Sequence, residues 1–151
     1  MQVDLETTIH ATPSGVFTIA ADIARWPDFI SAIDSVEVLT PGPVGVGTRF
    51  RETRKMFGRS ATEDMTVAEF APPHRFVLTA HNHGTAYRAE HTFEPTGNGT
   101  RMRLSFEGLP TSLLARLMTP IGLLFLGSVK HQLAADLADM RREAERRHRA
   151  G

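Results

Sequence analysis

The feature that most constrains the fold is the stretch from Ser35 to Glu107, in which short strand patterns alternate with turn residues. Apolar and polar side chains alternate within each pattern, and turns containing glycine or proline separate the patterns. The predicted strands are residues 35–40, 47–57, 60–71, 74–83, 85–95 and 99–108. Because most of the connections are short, neighbouring strands are expected to run antiparallel. The stretch therefore predicts an antiparallel meander.

One further strand and a helix precede the meander. Apolar or small residues alternate with polar ones over residues 2–10, which is the period of a half-buried strand. Thr12 is a suitable N-cap and Pro13 suits the first turn of a helix, so we expect a helix over residues 13–23. The order is thus strand, helix, then meander.

The segment after this helix contains the single tryptophan. The proline in Trp26-Pro27 predicts an extended or turn step, followed by one more short helical turn over residues 29–33. A tryptophan beside a proline most simply anchors a corner between helices through its buried area. Asp22 is then expected to hold a nearby backbone or arginine group. Both residues are interpreted as scaffold.

The end of the chain reads as helical. Pro110 ends the sheet, Ser112 caps a short helix to Met118, and Thr119 starts a helix to about His148. Steps of three or four residues place an apolar stripe on this helix, formed by Leu126, Val129, Leu133, Leu137, Met140 and Ala144. The stripe is expected to pack on the sheet.

These elements predict one α+β domain over residues 1–151, in which a curved seven-stranded antiparallel sheet wraps around a long terminal helix. The basic residues of 141–151 are expected to fray in solvent. A helix laid across a curved sheet leaves space at one end. We expect segment 112–125 and the Gly42–Gly47 loop to frame the mouth of this cavity.

Composition excludes several kinds of partner and site. Seventeen basic residues balance 17 acidic ones, so no overall field attracts nucleic acid. There is no cysteine, which excludes disulfides and thiolate sites. Residues 113–129 are apolar but are interrupted by Arg116 and Pro120, so stable membrane insertion is not expected. The N-terminus lacks the pattern of a signal peptide, and we expect a cytoplasmic monomer or homodimer.

Three local motifs have simple structural interpretations. The glycines of Gly42–Gly47 precede a strand pattern, whereas a phosphate loop precedes a helix. His81 and His83, with His91 on the next strand, lack a suitably spaced carboxylate, so no metal or other cofactor is expected. The C-terminal arginines lack interleaved aromatic residues, which favours a solvated helix end over a nucleic-acid site.

The inward faces of the strands supply the candidate site. If Phe93, Val67 and Phe50 pack inward, alternation brings five polar residues to the same face, namely Glu52, Arg54, Glu63, Tyr87 and His91. The expected ligand-binding residues are Phe50, Glu52, Met65, Leu78, Tyr87, His91, Phe93, Met102, Leu104 and Leu126. An apolar wall with a few polar groups is typical of a small-molecule site. The alternative is that the charged residues form an ion pair or reach solvent.

The sequence resembles the SRPBCC superfamily (START, Bet v 1-like), specifically its polyketide cyclase/dehydrase and lipid-transport branch. The resemblance spans nearly the whole chain and is carried by residues 11–29 (ATPSGVFTIAADIARWPDF), 42–48 (GPVGVGT), 67–76 (VAEFAPPHRF), 92–102 (TFEPTGNGTRM) and the leucine-rich terminal region. It implies a helix-grip fold with an apolar pocket between the sheet and the C-terminal helix. It implies no shared catalytic signature, because members include carriers, cyclases and co-chaperone activators.

Three functions remain open. The first is binding of a hydrophobic lipid- or polyketide-like molecule. The second is a polyketide cyclase, aromatase or dehydrase, with His91 or Glu63 as the base and Tyr87 or Arg54 orienting a carbonyl. The third is a co-chaperone-like or coenzyme Q-binding accessory module, which rests on the breadth of the family alone.

Overall fold

The computed structural model describes residues 1–151. Its strands are β1 (Gln2–Ile9), β2 (Ile33–Val38), β3 (Arg49–Met56), β4 (Arg59–Ala71), β5 (Arg75–Asn82), β6 (Thr85–Thr96) and β7 (Gly99–Pro110). Its helices are α1 (Pro13–Ala20), α2 (Trp26–Phe29), α3 (Leu113–Leu117), α4 (Thr119–Leu123) and α5 (Leu126–Ala150), with a 3₁₀ turn over Ile23–Arg25. The elements follow the predicted order.

The seven strands form one antiparallel sheet in the order β1-β7-β6-β5-β4-β3-β2. Strands β3 to β7 are a meander joined by short turns, and β1 returns to pair with β7. The long helix α5 packs mainly on β1, α1 and α2. The curved sheet and terminal helix of the expected α+β helix-grip fold are confirmed.

The corner after α1 is held by Trp26. The indole is 4% exposed, and its Nε1 donates a hydrogen bond of 3.1 Å to the carbonyl of Ala20. Trp26 and Pro27 begin α2, so the predicted extended step is wrong, because a proline in the first helical turn needs no N–H partner. The side chain of Asp22 makes no capping hydrogen bond, contrary to its expected role.

The predicted helix from residue 119 to 148 is two helices with a break at Leu124 and Phe125. Gly122 and Gly127 flank the break, and glycine is a poor helix former. After the break α5 continues to Ala150, so residues 141–150 are helical where fraying was expected. Ion pairs of Glu143 with Arg146 and Arg147 support this last part of the helix.

The packed core lies at the end of the sheet that α1 covers. The Phe17 ring meets the rings of Phe70, Phe76 and Phe93 edge-on, with centroids 5.3–5.8 Å apart. Buried residues from the sheet and from the last half of α5 complete the same cluster. This end of the molecule is filled with side chains.

Candidate functional site

Strand register shows which side chains share the concave face. Residues directly opposite each other in neighbouring strands point to the same side. Glu52 lies opposite Glu63, Leu78 opposite Ala89, and Phe93 opposite Met102. The α1 side chain Phe17 contacts Phe93, which identifies this side as the one covered by helices. The same pairing rule adds four more residues to this face. Met65 lies opposite Phe50, and Tyr87 lies opposite Ala80. His91 lies opposite Phe76 in β5 and opposite Leu104 in β7.

Five of the predicted ligand-binding residues lie in the packed core. Phe50, Leu78, Phe93, Met102 and Leu104 are at most 5% exposed. They form the closed floor beneath the space between sheet and helix, so their contact with a ligand stays a prediction. Leu126, in the first turn of α5, is half-buried.

The other end of the concave face is open. Met65, Tyr87, Ala89, Phe106 and Leu133 are only partly buried, although they lie between the sheet and α5. The molecule exposes 8595 Å². A compact monomer of 16.7 kDa exposes about 7,600 Å². The excess of about 1,000 Å² fits an open cleft together with the exposed helices beside it.

The mouth of the cleft is framed differently from the expectation. Strand β3 starts where Arg49 pairs with Thr66 and ends where Met56 pairs with Arg59. The Gly42–Gly47 loop precedes the start of β3, whereas segment 112–125 contacts the turns at the other end, roughly 23 Å away along the strand. The mouth is therefore formed by segment 112–125 with the β3–β4 and β5–β6 turns, and the Gly42–Gly47 loop lies at the closed end.

Two shallow hollows lie outside the cleft. One, of about 370 Å³, is bounded by Phe57 and residues 127–135 of α5. The other, of about 500 Å³, lies mainly on the outer face of the sheet, where Thr66, Thr79 and Arg88 are neighbours. Tyr87 borders the second hollow, but neither hollow is lined by Arg54, Asp136 or His91.

A buried ion cluster joins β3 to α5 in the cleft. Arg54 Nε and Nη2 donate hydrogen bonds of 3.2 and 3.1 Å to Glu52, and Nη2 donates another of 2.9 Å to Asp136 Oδ2. The three side chains are 13%, 4% and 11% exposed for Arg54, Glu52 and Asp136. Arg54 Nη1 has no protein partner, and Asp136 Oδ1 is buried without one. The cluster thus keeps one free donor and one free acceptor.

Burial changes the protonation of this cluster. Loss of hydration raises the pKa of Asp136 to about 6, although Arg54 opposes the shift. The pKa of Glu63 is also raised, by burial and then by the nearby Glu52 charge. Burial alone would lower the pKa of Arg54, but attraction to Asp136 and Glu52 outweighs it and raises that pKa. The guanidinium stays charged, while the Asp136 carboxylate can take up a proton near pH 6.

Glu63 and Tyr87 lie nearer the open end. Glu63 accepts a hydrogen bond of 2.7 Å from Asn82 Nδ2. The Tyr87 ring stacks on Phe106 with centroids 5.7 Å apart. Gly108 makes room for this ring, since a Cβ there would lie 3.2 Å from Tyr87 Cε1. The Tyr87 position therefore depends on a glycine directly opposite it in β7.

His91 is enclosed at the floor of the cleft. It is 6% exposed, and its ring stacks on Phe76 with centroids 4.4 Å apart. Its Nδ1 is buried without a hydrogen-bond partner, and desolvation lowers the pKa of His91 to about 4. His91 is therefore neutral near pH 7. His81 points to the opposite face and hydrogen-bonds Thr111, so the two imidazoles do not converge.

Asp136 is the member of the cluster that sequence reasoning missed. It lies three residues after Leu133 and four before Met140, on the stripe of α5 that packs inward. A carboxylate within an apolar helical stripe was the available signal. The alternative interpretation, an ion pair, is correct for Arg54 and Glu52, but these two lie on the same strand and their third partner is Asp136 of the helix. Glu63 is not part of the ion pair and hydrogen-bonds Asn82.

No helix is both long and apolar enough to cross a membrane. No curated protein sequence matches the chain.

Among solved structures, the chain is similar to the Zhui aromatase/cyclase from Streptomyces sp. R1128. The two are 18% identical with a TM-score of 0.79, and the match covers 97% of this chain and 94% of that one. At this identity the likeness shows the fold alone.

Two further structures share this fold. TTHA0849 from Thermus thermophilus is 20% identical with a TM-score of 0.76, covering 95% of this chain and 97% of that one. Ara h 8.0201 is 15% identical with a TM-score of 0.72, covering 95% and 97%. The family described as polyketide cyclase / dehydrase and lipid transport matches residues 1–145. With its Bet v 1-like helix-grip fold, the chain belongs to the polyketide cyclase/dehydrase and lipid transport family.

Proposed function

We propose that the protein binds an apolar small molecule, lipid- or polyketide-like, in the cleft between the concave face and α5. The observation that carries the proposal is the Arg54 guanidinium, which is held between Glu52 and Asp136 and retains a free Nη1 donor. A few convergent polar groups in an apolar cleft fix the orientation of a ligand. The ligand is therefore expected to carry an oxygen acceptor that faces Arg54.

The cost of burying this cluster supports a functional role. A buried ion pair is often no more stabilising than apolar residues of the same volume, because desolvation offsets the attraction between the charges. Here two carboxylates face one guanidinium, and the Asp136 oxygen without a partner adds to the cost. A gain in stability is therefore a weak reason for such a cluster, which supports a role in ligand recognition.

Ligand binding can be tested by comparing a variant of Arg54 with a control variant of another arginine in the same strand. Native mass spectrometry of gently purified protein and displacement of a fluorescent fatty acid measure occupancy and affinity. Arg54→Gln should weaken binding roughly tenfold or more, as expected for a lost charged hydrogen bond. Arg51→Gln is the control, because Arg51 points outward and pairs with Asp64. Equal affinities of the two variants, or no displacement by the wild type, would contradict the proposal.

A second candidate function is acid–base catalysis on a poly-β-keto chain, favoured by the raised pKa values of Asp136 and Glu63 beside Arg54. The Glu63 carboxylate would take a proton from the carbon α to a carbonyl, and Arg54 would hydrogen-bond the resulting enolate oxygen. The enolate carbon would then attack a second carbonyl, and the alkoxide formed would take the proton that Glu63 holds. Glu63 would next remove the second proton from the same α-carbon and pass it to the leaving hydroxide, so that water leaves and a carbon–carbon double bond forms.

Catalysis can be distinguished from binding by replacing the proposed base with a residue of the same shape that cannot accept the proton. Glu63→Gln should abolish turnover of a polyketide mimic while the affinity stays within a few-fold, since only the proton acceptor is lost. Glu94→Gln, on the exposed end of β6, is the matched control. His91→Ala tests the alternative base. Full turnover by both Glu63→Gln and His91→Ala would rule out this assignment and leave the binding function.

A further inference from the structure

The mouth of the cleft carries a continuous set of exposed apolar side chains, which we name the apolar rim. Its members are between 47% and 80% exposed and come from α3, α4, the break before α5, and the β3–β4 turn. They are Phe57, Leu113, Leu114, Leu117, Met118, Ile121, Leu123, Leu124 and Phe125. Single exposed apolar residues are normal, but patches of several hundred Å² mark interaction surfaces.

The apolar rim is tied to the sheet. The backbone N–H and hydroxyl of Thr111 both donate to the carbonyl of Gly84 in the β5–β6 turn, at 2.7 and 2.9 Å. Ser112 caps α3 by accepting from the N–H of Ala115. At the other end of the rim, the Phe125 ring contacts Phe57 edge-on with centroids 5.6 Å apart. The apolar side chains are therefore held outward at a defined place.

The chain segments that form the apolar rim carry charge of one sign. No aspartate or glutamate occurs between Glu107 and Asp136, or between Glu52 and Glu63. The exposed cations Arg59, Arg116 and Lys130 lie in these two stretches. None of the three forms an ion pair, although most other arginines of the molecule do. The surface is thus apolar at its centre with uncompensated positive charge beside it.

We propose that the apolar rim docks on the surface of an anionic lipid bilayer. The apolar side chains would enter the boundary between headgroups and acyl chains, and Arg59, Arg116 and Lys130 would lie at the level of the lipid phosphates. Docking of this kind needs no spanning helix, which agrees with the lengths of α3 and α4. It also turns the mouth of the cleft toward the bilayer. Docking of the apolar rim requires only these exposed side chains and cations, whatever ligand the cleft holds.

A second copy of the chain fits the surface less well. Two rims in contact would bring the cations of both copies together with no carboxylate of either rim between them, which is unfavourable. A bilayer supplies the negative charge and adapts to the uneven outline of three helical pieces. An acidic protein would also match the charge, but it would need a surface complementary in shape to these three helical pieces.

Vesicle flotation tests the proposal with the full chain. Vesicles of phosphatidylcholine containing about one third phosphatidylserine should bind the wild type, and pure phosphatidylcholine should bind it more weakly. The double variant Leu117→Gln/Leu124→Gln should reduce binding to the anionic vesicles roughly tenfold or more. Both side chains are at least 68% exposed, so folding, checked by circular dichroism, should be unchanged. Arg116→Gln/Lys130→Gln should reduce binding to anionic vesicles roughly tenfold and have little effect on neutral ones.

Val46→Gln is the matched control, because Val46 is 71% exposed but belongs to the Gly42–Gly47 loop at the closed end. Binding of this control should equal that of the wild type. Failure of the wild type to float with anionic vesicles overturns the proposal. Equal loss of binding in Val46→Gln does so too. A dimer seen by analytical ultracentrifugation that Leu117→Gln/Leu124→Gln dissociates, or capture of an acidic protein without vesicle flotation, would assign the apolar rim to a protein interface instead.

Discussion

Replacement of Asp136 by asparagine should change how the stability of the protein depends on pH. The folded-state pKa of Asp136 is raised from 3.8 to about 6. Between these two values the unfolded chain loses the proton while the folded chain keeps it, so the free energy of unfolding falls as pH rises. A shift of roughly 2 pKa units corresponds to about 3 kcal/mol.

The measurement is urea unfolding of the wild type and of Asp136→Asn at several pH values. The stability of the wild type minus that of the variant should fall by about 3 kcal/mol between pH ~4 and pH ~6, and then stay level. For a chain of this size, that change corresponds to a shift in Tm of roughly 6–12 °C. Subtracting the variant cancels the contributions of titrating groups that do not interact with Asp136.

Asp64→Asn gives a control of the opposite sign. The exposed Asp64 hydrogen-bonds Arg51, which holds the pKa of Asp64 below its usual value. The difference between the wild type and this variant should therefore rise with pH and be small, because the pair is solvated. If the Asp136 difference is flat or rises with pH, then Asp136 is not buried beside Arg54, and the reasoning about the cluster is wrong.

Three further predictions concern the scaffold that holds the cleft. Phe93→Ala should lower the free energy of unfolding by about 3–5 kcal/mol in urea titrations, because the Phe93 side chain is only 2% exposed and packs against Phe17. A loss below about 1 kcal/mol would contradict this packing. Trp26→Phe should cost about 1–3 kcal/mol in the same assay, since the Ala20 carbonyl loses its buried donor, and an unchanged midpoint would argue against that bond. Gly99→Ala should lower the Tm measured by calorimetry, because its Cβ would lie 2.1 Å from the carbonyl oxygen of Ile9; an unchanged Tm would show that β1 and β7 pair differently.

Much of the concave face could be predicted because strand alternation is a local property. In an antiparallel meander with one buried face, Phe50 fixes the side of Glu52 and Arg54, and Phe93 fixes that of His91 and Tyr87. The structure places all of these residues on the predicted face. Local spacing was sufficient there.

The remaining parts of the site depend on contacts between distant segments. Asp136 contacts Arg54 only when α5 packs across the sheet, and no local sequence pattern indicates which residue of the helix contacts β3. Phe125, in the break before α5, contacts Phe57, which lies far away in the sequence. The end of the sheet at which the Gly42–Gly47 loop lies could have been predicted, since successive turns of an antiparallel meander lie at opposite ends of the sheet.

The proposed binding of an apolar ligand beside Arg54 is tested most directly by a crystal structure of protein purified without removal of lipids. We predict electron density for an elongated apolar molecule between the concave face and α5, with an oxygen atom within hydrogen-bond distance of Arg54 Nη1. Side chains that fill this space, with Met65, Tyr87 and Leu133 packed against one another and no room for a ligand, would contradict the proposal.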